Sequence, residues 1–416
     1  MAKLGVLVYP RKLKERATAA PYFDNFAYRG LRAVIGEVDK RNHAVRYIAP
    51  HQIDECDFVL VSLTSAWDIL SLIHYVPIRR RAKIIAGGQG LVNPRPFMQY
   101  LDLAVFGRAE GQINELIDGG RGANVLDVGK DPAAEGNYEY RQAQYLLGDE
   151  ADTGCIRKCF FCGYGWTHRS LNRGGNYQAS DDALYSSSEQ FLSELRLTEN
   201  VHYSAGLDGW SEASRRSVGK PFSNTSLVEK LKTLTEDAAA RGWARLSLKL
   251  YMIHAYPWEK PLADYTGEMA RALADLDGKL SSGRLVIFFK ATPFCPEPMT
   301  PMARCLPCFD DAWRTMLKNQ WLVYQGSHVE ARIHMTVPSA AELAHMVFFR
   351  RAGREESSVA EMMSRPKYLS LTAGLKLAAL SVRGVLGRLT DAAPWSGLRV
   401  PGLNPERVAS QMGWTY

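Results

Sequence analysis

The sequence predicts an α/β protein with a Rossmann-like N-terminal domain, a second α/β region, and a helical C-terminal region. Three observations carry this. Short apolar runs alternate with helical spacings from residue 4 to about 118, and a second such series starts near residue 143. The chain has 416 residues, too many for one ordinary core. From about residue 339 the pattern becomes mostly helical and basic, broken by "RP" and "AAPWSG".

The elements follow in order. "LGVLVYP" (4–10) is an apolar run stopped by proline, and "NFAYRGLRAVIGEVDKRN" (25–42) puts Leu31, Val34, Ile35 and Val38 on one helix side. "AVRYIAP" (44–50) and "DFVLVSLT" (57–64) read as strands. After a helical piece, "AKIIAGGQG" (82–90) is a strand running into glycines, and "LAVFGRAEGQINELIDGG" (103–120) is strand, turn and helix. This alternation implies a parallel sheet covered on both faces, with ligands beyond the carboxyl ends of the strands. Residues 121–142 are polar and rich in Gly, Asp and Ala. The first domain is therefore expected at 1–125 and a linker at 126–142. Strand candidates at 143–149, 201–208, 246–254, 284–292 and 330–336 make up a second domain over 143–338, with helices at 226–242 and 265–280 between them. Residues 339–416 form the helical C-terminal region.

Composition narrows the class. Apolar residues make up 46% and aromatics 10%, as in a globular protein. The net charge is +7, from 51 basic and 44 acidic residues, which permits a nucleic-acid partner without arguing for one. No apolar run reaches a membrane-spanning length, and the N-terminus "MAKLGVLVYPRK" shows no export signal. Seven unevenly placed cysteines argue against a disulfide framework, so a reducing, cytoplasmic setting is expected.

Three of those cysteines crowd into "GCIRKCFFCGYGWTHR" (154–169): Cys155, Cys159 and Cys162. A structural zinc site wants four ligands, usually two spaced pairs. Three thiolates at C-x3-C-x2-C suit a [4Fe-4S] cube whose fourth iron is left for another ligand. The alternatives are a zinc site completed by His168, or buried thiols.

At these residues the chain resembles the radical S-adenosylmethionine superfamily, whose motif is C-x3-C-x2-C with an aromatic residue before the last cysteine, here Phe161. Three further stretches extend the resemblance. "KLYMIHAYPWE" (249–259) is similar to "KLYFMIGLPGE", with Ala255 where the family has glycine. "GLDGWSEASRRSVGK" (206–220) is similar to "GxESxS…K", with Asp208 for the glutamate and Ser211 and Lys220 kept. "FCPEPMTP" (294–301) is similar to "FVPKPHTP", which points to the branch with an N-terminal cobalamin-binding-type domain. "IIAGGQGLVNP" (84–94) and "VFGRAEGQINELI" (105–117) resemble that domain's glycine motifs. The resemblance spans roughly residues 4–305.

It implies a partial (β/α) barrel over 143–338. It further implies a [4Fe-4S] cluster on Cys155, Cys159 and Cys162, S-adenosylmethionine on the fourth iron, and a 5′-deoxyadenosyl radical that abstracts hydrogen from substrate. Phe161, Asp208, Ser211, Ile253 and Ala255 are the residues it assigns to S-adenosylmethionine. Gly87, Gly88 and Gly107 are those it assigns to close approach of cobalamin. With cobalamin, the implied reaction is methyl transfer to a poorly activated carbon. Without it, the reaction is hydrogen abstraction, rearrangement or C–C bond formation, on a nucleobase or another small substrate. A small molecule, peptide or nucleobase is the expected substrate, and a flavodoxin or ferredoxin the expected electron donor. The sequence departs from the branch in one respect: "YPRKLKERATAAPYFDNF" has no D-x-H-x-x-G histidine, and His43, His51 and His74 lie elsewhere.

Other residues have two readings. Tyr164 and Arg169, with Trp166 and His168, line a cavity or pack a loop; Arg169 would meet a carboxylate in bidentate fashion. Cys295 sits at a strand's carboxyl end, where barrel active sites cluster. With Cys305 and Cys308 it either joins a second cluster or is a small buried apolar residue. The region after Cys162 is short for a full barrel, and "ALYSSSEQFLSEL" (183–195) stands in for a strand and helix, with Ser186 to Ser188 at the family's glycine-rich loop. The basic C-terminal stretches read as amphipathic surface helices, or as a lid or nucleic-acid contact.

Overall fold

In the computed structural model, residues 2–8, 29–39, 41–64, 66–141, 159–163, 166, 200–242, 245–259, 265–274, 276, 285–297, 299–305, 348–364, 398–399 and 404–412 are described. The strand expectations at 143–149 and 330–336 lie outside them, as do Cys155, Tyr164, His168, Arg169, Ser186 to Ser188 and Cys308.

The protein is a mixed α/β structure built on parallel strands. The first sheet contains β1 (Ala2–Leu7), β2 (His43–Ile48), β3 (Phe58–Ser62), β4 (Lys83–Gly87), β5 (Leu103–Val105) and β6 (Val125–Asp127). Their order is β2-β1-β3-β4-β5-β6, with β6 alone antiparallel to its neighbour. The chain therefore reverses direction across the sheet between β1 and β3, a topological switch point of the doubly wound type.

Side-chain alternation explains the two covered faces. Val59 and Val61, Ile84 and Ala86 face one core with α2 (Ala66–Tyr75), through Ile69, Leu70, Leu72 and Ile73. Leu60, Ile85, Leu103 and Val105 face the other, with α1 (Arg29–Glu37) and α3 (Ile113–Ile117). The inner strands β3, β4 and β5 are apolar on both sides, as a buried parallel sheet requires, while the edge strand β2 exposes Arg46 and Tyr47.

Two differences from the sequence expectation concern the ends of this layer. Residues 126–142 do not form a free linker: β6 closes the sheet, and Leu126, Ala134, Tyr138 and Tyr140 enter its core. Asp131 makes this stretch compact by accepting from the amides of Glu135 and Gly136 and from the Tyr138 hydroxyl. Its Asp and Gly content is turn chemistry. Within the C-terminal region, the stretch 348–364 also belongs to this core. Phe348, Phe349, Ala352, Ala360 and Met363 pack there, α7 (Ser357–Ser364) lies along α2, and the Asn93 amide donates to the Ala352 carbonyl at 2.9 Å. Nearby, Leu398–Arg399 pairs in parallel with Tyr138–Glu139.

The second sheet has three parallel strands in sequential order: β8 (Asn200–Gly206), β9 (Arg245–His254) and β10 (Leu285–Pro293). Its connecting helices are α4 (Glu212–Ser217), α5 (Asn224–Ala240) and α6 (Tyr265–Ala274). Leu248, Leu250 and Met252 of β9 and Ile287, Phe289 and Ala291 of β10 point to α5 and α6, meeting Leu227, Leu231, Leu234, Met269 and Leu273. Lys249, Tyr251 and Ile253, and Phe288, Lys290 and Thr292, alternate onto the other, half-buried face. Among the described residues no helix is long and apolar enough to cross a membrane.

Candidate functional site

The cysteine loop is held by its backbone. The Phe160 amide donates to the Val218 carbonyl at 2.9 Å, and the Met302 amide donates to the Phe160 carbonyl at 3.1 Å. One residue is thus clamped between the end of α4 and the turn after β10. The Phe160 ring lies over Gly219, whose φ of +75° suits glycine. A tight turn follows, with the Cys162 amide donating to the Cys159 carbonyl at 3.2 Å, and the Trp166 indole capping the same carbonyl at 3.0 Å. Cys159 is buried and Cys162 half-buried.

Beside this loop lies an apolar cluster of Val218, Ile253, Tyr256, Trp258, Phe294, Met302 and Cys305 with Phe160 and Phe161. Tyr256 stacks on Trp258 at 5.1 Å between centroids and faces Phe161 at 6.5 Å. Its hydroxyl donates to the Asp208 carbonyl at 2.7 Å, joining the ends of β8 and β9. The sheet's carboxyl ends and the cysteine turn therefore share one wall.

Asp208 and Lys220 form the polar part. Lys220 Nζ lies 2.5 Å from Asp208 Oδ2, with side chains 6% and 13% exposed. A Cβ on Gly206 would stand 2.8 Å from that carboxylate and 3.0 Å from the ammonium, so only glycine leaves the pair its room. Asp208 has a φ of +58°, a left-handed conformation that aspartate tolerates. Ala255, where the resembled motif has glycine, adopts +59°. The substitution changed the side chain but kept the backbone shape that favours glycine.

Below the pair, Ser214 Oγ donates to Glu259 Oε1 at 2.5 Å and the Tyr256 amide donates to Glu259 Oε2 at 3.1 Å. Burial pushes the Glu259 carboxyl up to about 7. His254, 2% exposed at the end of β9, is pushed down to about 4 by burial. Arg215 is fully buried and donates to the Gly209 and Phe222 carbonyls and to Asn224 Oδ1, fixing the loop that carries Asp208.

The structure brings Cys159, Cys162, Phe161 and Ile253 together around the aromatic cluster, with Asp208 tied to it by the Tyr256 hydroxyl. Ser211 plays a local part: its hydroxyl oxygen caps α4, accepting from the Ser214 amide at 3.0 Å.

The glycines of the first sheet behave differently. Gly88 has a φ of +114°, and a Cβ there would meet the Leu63 carbonyl oxygen at 2.4 Å. At Gly107, with φ +83°, it would meet the Arg141 carbonyl oxygen at 2.2 Å. Both close approaches are made by the chain's own backbone. Gly87 is looser, with the Val105 carbonyl at 3.6 Å.

Cys295 and Cys305 pack in different apolar clusters. Cys295 packs against the first sheet's core, its sulfur accepting from Arg350, and burial pushes its thiol up. Cys305 belongs to the aromatic cluster, and burial pushes its thiol up to about 11. Among the described residues no three His, Cys, Asp or Glu side chains converge on a metal position. Sequence reasoning missed Arg350, which also pairs with Glu297, and Tyr256, the centre of the aromatic wall. Tyr256 was legible in principle as the aromatic residue following Ala255.

No family model matches the chain, and no curated protein matches it. Two solved structures of the cobalamin-dependent S-adenosylmethionine radical enzyme OxsB are similar to it at 12% identity. One holds aqua-cobalamin and S-adenosylmethionine (TM-score 0.29), the other aqua-cobalamin (TM-score 0.30). Each alignment covers 96% of this chain and 57% of OxsB, so this chain spans little more than half the length of that enzyme. Superpositions this loose do not fix a common fold.

Proposed function

We propose that the protein is a radical S-adenosylmethionine enzyme whose [4Fe-4S] cluster is held by Cys155, Cys159 and Cys162. One observation carries the reading: the backbone clamp on Phe160 holds the Cys159–Cys162 turn against the carboxyl ends of β8–β10, beside the aromatic wall and the Asp208–Lys220 pair. The donor type suits the group, since a cube takes thiolates and Cys159 and Cys162 stand on one tight turn. When bound, the cluster supplies the electron that cleaves S-adenosylmethionine reductively. This chain's residues do the rest. Phe161, Ile253 and Tyr256 exclude water from the reacting region. The Asp208–Lys220 pair holds the end of β8 in its left-handed turn, and Ala255 does the same for β9. A flavodoxin or ferredoxin supplies the electron, and the substrate is a small molecule, peptide or nucleobase.

Within this class, methyl transfer to a poorly activated carbon with methylcobalamin as donor is one reading. The second is hydrogen abstraction, rearrangement or C–C bond formation without a corrinoid. One observation favours the second: Gly88 and Gly107 admit Leu63 and Arg141 of the chain itself.

The test is anaerobic reconstitution followed by incubation with reductant and S-adenosylmethionine. About four irons per chain and formation of 5′-deoxyadenosine support the reading, with both lost in Cys159→Ala. Full iron and full cleavage in that variant would refute it. S-adenosylhomocysteine formed alongside, with a corrinoid retained after desalting, selects methyl transfer.

A further inference from the structure

We propose that the open face of the β8–β9–β10 sheet is an anion-binding site, built from Lys249 and Lys290 on either side of Tyr251, that anchors a carboxylate or phosphate of the substrate. As a statement about substrate it rests on the reading above; as a binding site it does not.

The strand alternation that sends Leu248, Leu250 and Met252 to the helices leaves Lys249, Tyr251 and Ile253 on the opposite face. On β10 the same rule leaves Phe288, Lys290 and Thr292 there, and Lys290 stands in register with Tyr251. Lys249 Nζ lies 5.2 Å from the Tyr251 ring centroid and Lys290 Nζ 5.7 Å from it. Two ammonium groups thus lie within about 6 Å of one phenol ring, and both lysines are half-buried. The ring's negative face attracts them but does not neutralise them.

The contrast with Lys220 sharpens the point. That lysine, on the same face above Gly206, is matched by Asp208 at 2.5 Å. Among the described residues neither Lys249 nor Lys290 has a carboxylate partner. A half-buried ammonium without a carboxylate partner keeps donors for an anion. Lysine suits this task as a compact charge that meets phosphate or carboxylate oxygens through several donors.

The geometry also sets a reach. Ile253, two residues beyond Tyr251 on the same face, touches the aromatic wall beside the cysteine turn. At about 3.3 Å per residue, an anion at Lys290 lies roughly 7 Å short of that wall and one at Lys249 roughly 13 Å. A substrate with an acidic group a few bonds from its reacting carbon fits between. The Tyr251 ring, between Lys249 and Ile253 along β9, gives that intervening body an apolar surface.

The experiment uses the full chain without cluster, titrated calorimetrically with inorganic phosphate and, separately, with succinate, at constant ionic strength set by chloride. Saturable binding of either is expected, and the stronger one identifies the headgroup. Lys249→Met and Lys290→Met keep the apolar stems. Each should weaken binding about tenfold, the order expected for one charge-assisted contact, and the double variant should abolish it. Should the double variant not fold, the parent chain with reductively ¹³C-methylated lysines serves instead. Two resonances, assigned by the single variants, should shift with phosphate or succinate. Absence of saturable binding of both anions, or unchanged binding in the double variant, would overturn the proposal. S-adenosylmethionine cleavage measured on reconstituted protein separates the two readings. Cleavage without anion binding sinks the anion site alone, and anion binding without cleavage sinks the radical reading alone.

Discussion

Replacing Lys220 by methionine tests the polar centre of the site. The change leaves Asp208 with a carboxylate that is 13% exposed and has lost an ammonium 2.5 Å away. An ion pair about 4 Å apart gains roughly 4 kcal/mol at an effective dielectric of 20. Desolvation of both ions cancels much of that, so the intact pair contributes little net stability, while removing one partner costs about 3–5 kcal/mol. The loss should be local. Asp208 donates its amide to the Tyr251 carbonyl at 3.0 Å and Lys220 donates its own to the Arg215 carbonyl at 2.9 Å, so both amides report on this turn. Hydrogen exchange over residues 206–222 should accelerate by about 150-fold for a 3 kcal/mol loss. Asp208→Asn combined with Lys220→Met removes both charges and should recover most of the protection. If the double variant shows the plain sum of the single effects within about 0.5 kcal/mol, the two groups are not coupled and the argument fails.

Three further outcomes follow from the same geometry. Burial holds the Glu259 carboxyl up at about 7, above its unfolded value, so its stabilising contribution is present at low pH and lost as pH rises through 7; His254, held down at about 4, works oppositely, costing stability as pH falls from about 6.5 to 4. Their slopes oppose each other in the parent, and Glu259→Gln should expose the histidine slope in denaturant midpoints from pH 4.5 to 7; an unchanged profile would count against both assignments. Ala255→Gly should raise stability by about 1 kcal/mol by relieving the left-handed strain at +59°, measured as a later unfolding midpoint. Gly88→Ala should cost about 2–3 kcal/mol in protein with no cofactor added, because the new methyl meets the Leu63 carbonyl; a neutral effect there would mean the glycine is kept for a ligand after all.

The layer pattern of the first domain was legible because period-2 alternation and 3.6-residue spacing are local. Val59, Leu60 and Val61 reveal their alternate faces within three positions. The order β2-β1-β3-β4-β5 was not, since nothing local states which strand β1 lies between. The stretch 126–142 misled because Asp131 and its glycine neighbours look the same in a solvated linker as in a turn closed by the Tyr138 hydroxyl. Leu126, Tyr138 and Tyr140 were the signal against it. The attachment of 348–364 was out of reach: Asn93 and Ala352, or Tyr100 and Glu361, are more than 250 positions apart.

The site divides along the same line. Cysteine spacing suggests a chemistry, and the structure adds that Cys159 and Cys162 share one tight turn. The motif "FCPEPMTP" shows what spacing alone leaves open. Its residues and the Met302 that follows serve two cores in turn: Phe294 and Met302 enter the aromatic wall, while Cys295 and Met299 enter the core of the first sheet. Between them Glu297 pairs with Arg350 and its carboxylate lies beside Gly163, the residue after Cys162. A segment that must satisfy two apolar layers and one half-buried ion pair within nine residues has little freedom to vary, whatever it catalyses. Cys295, with Arg350 on its sulfur and a thiol pushed up by burial, has the chemistry of a seam residue. Pro296 and Pro301 of this stretch fix φ where the backbone crosses from one core to the other.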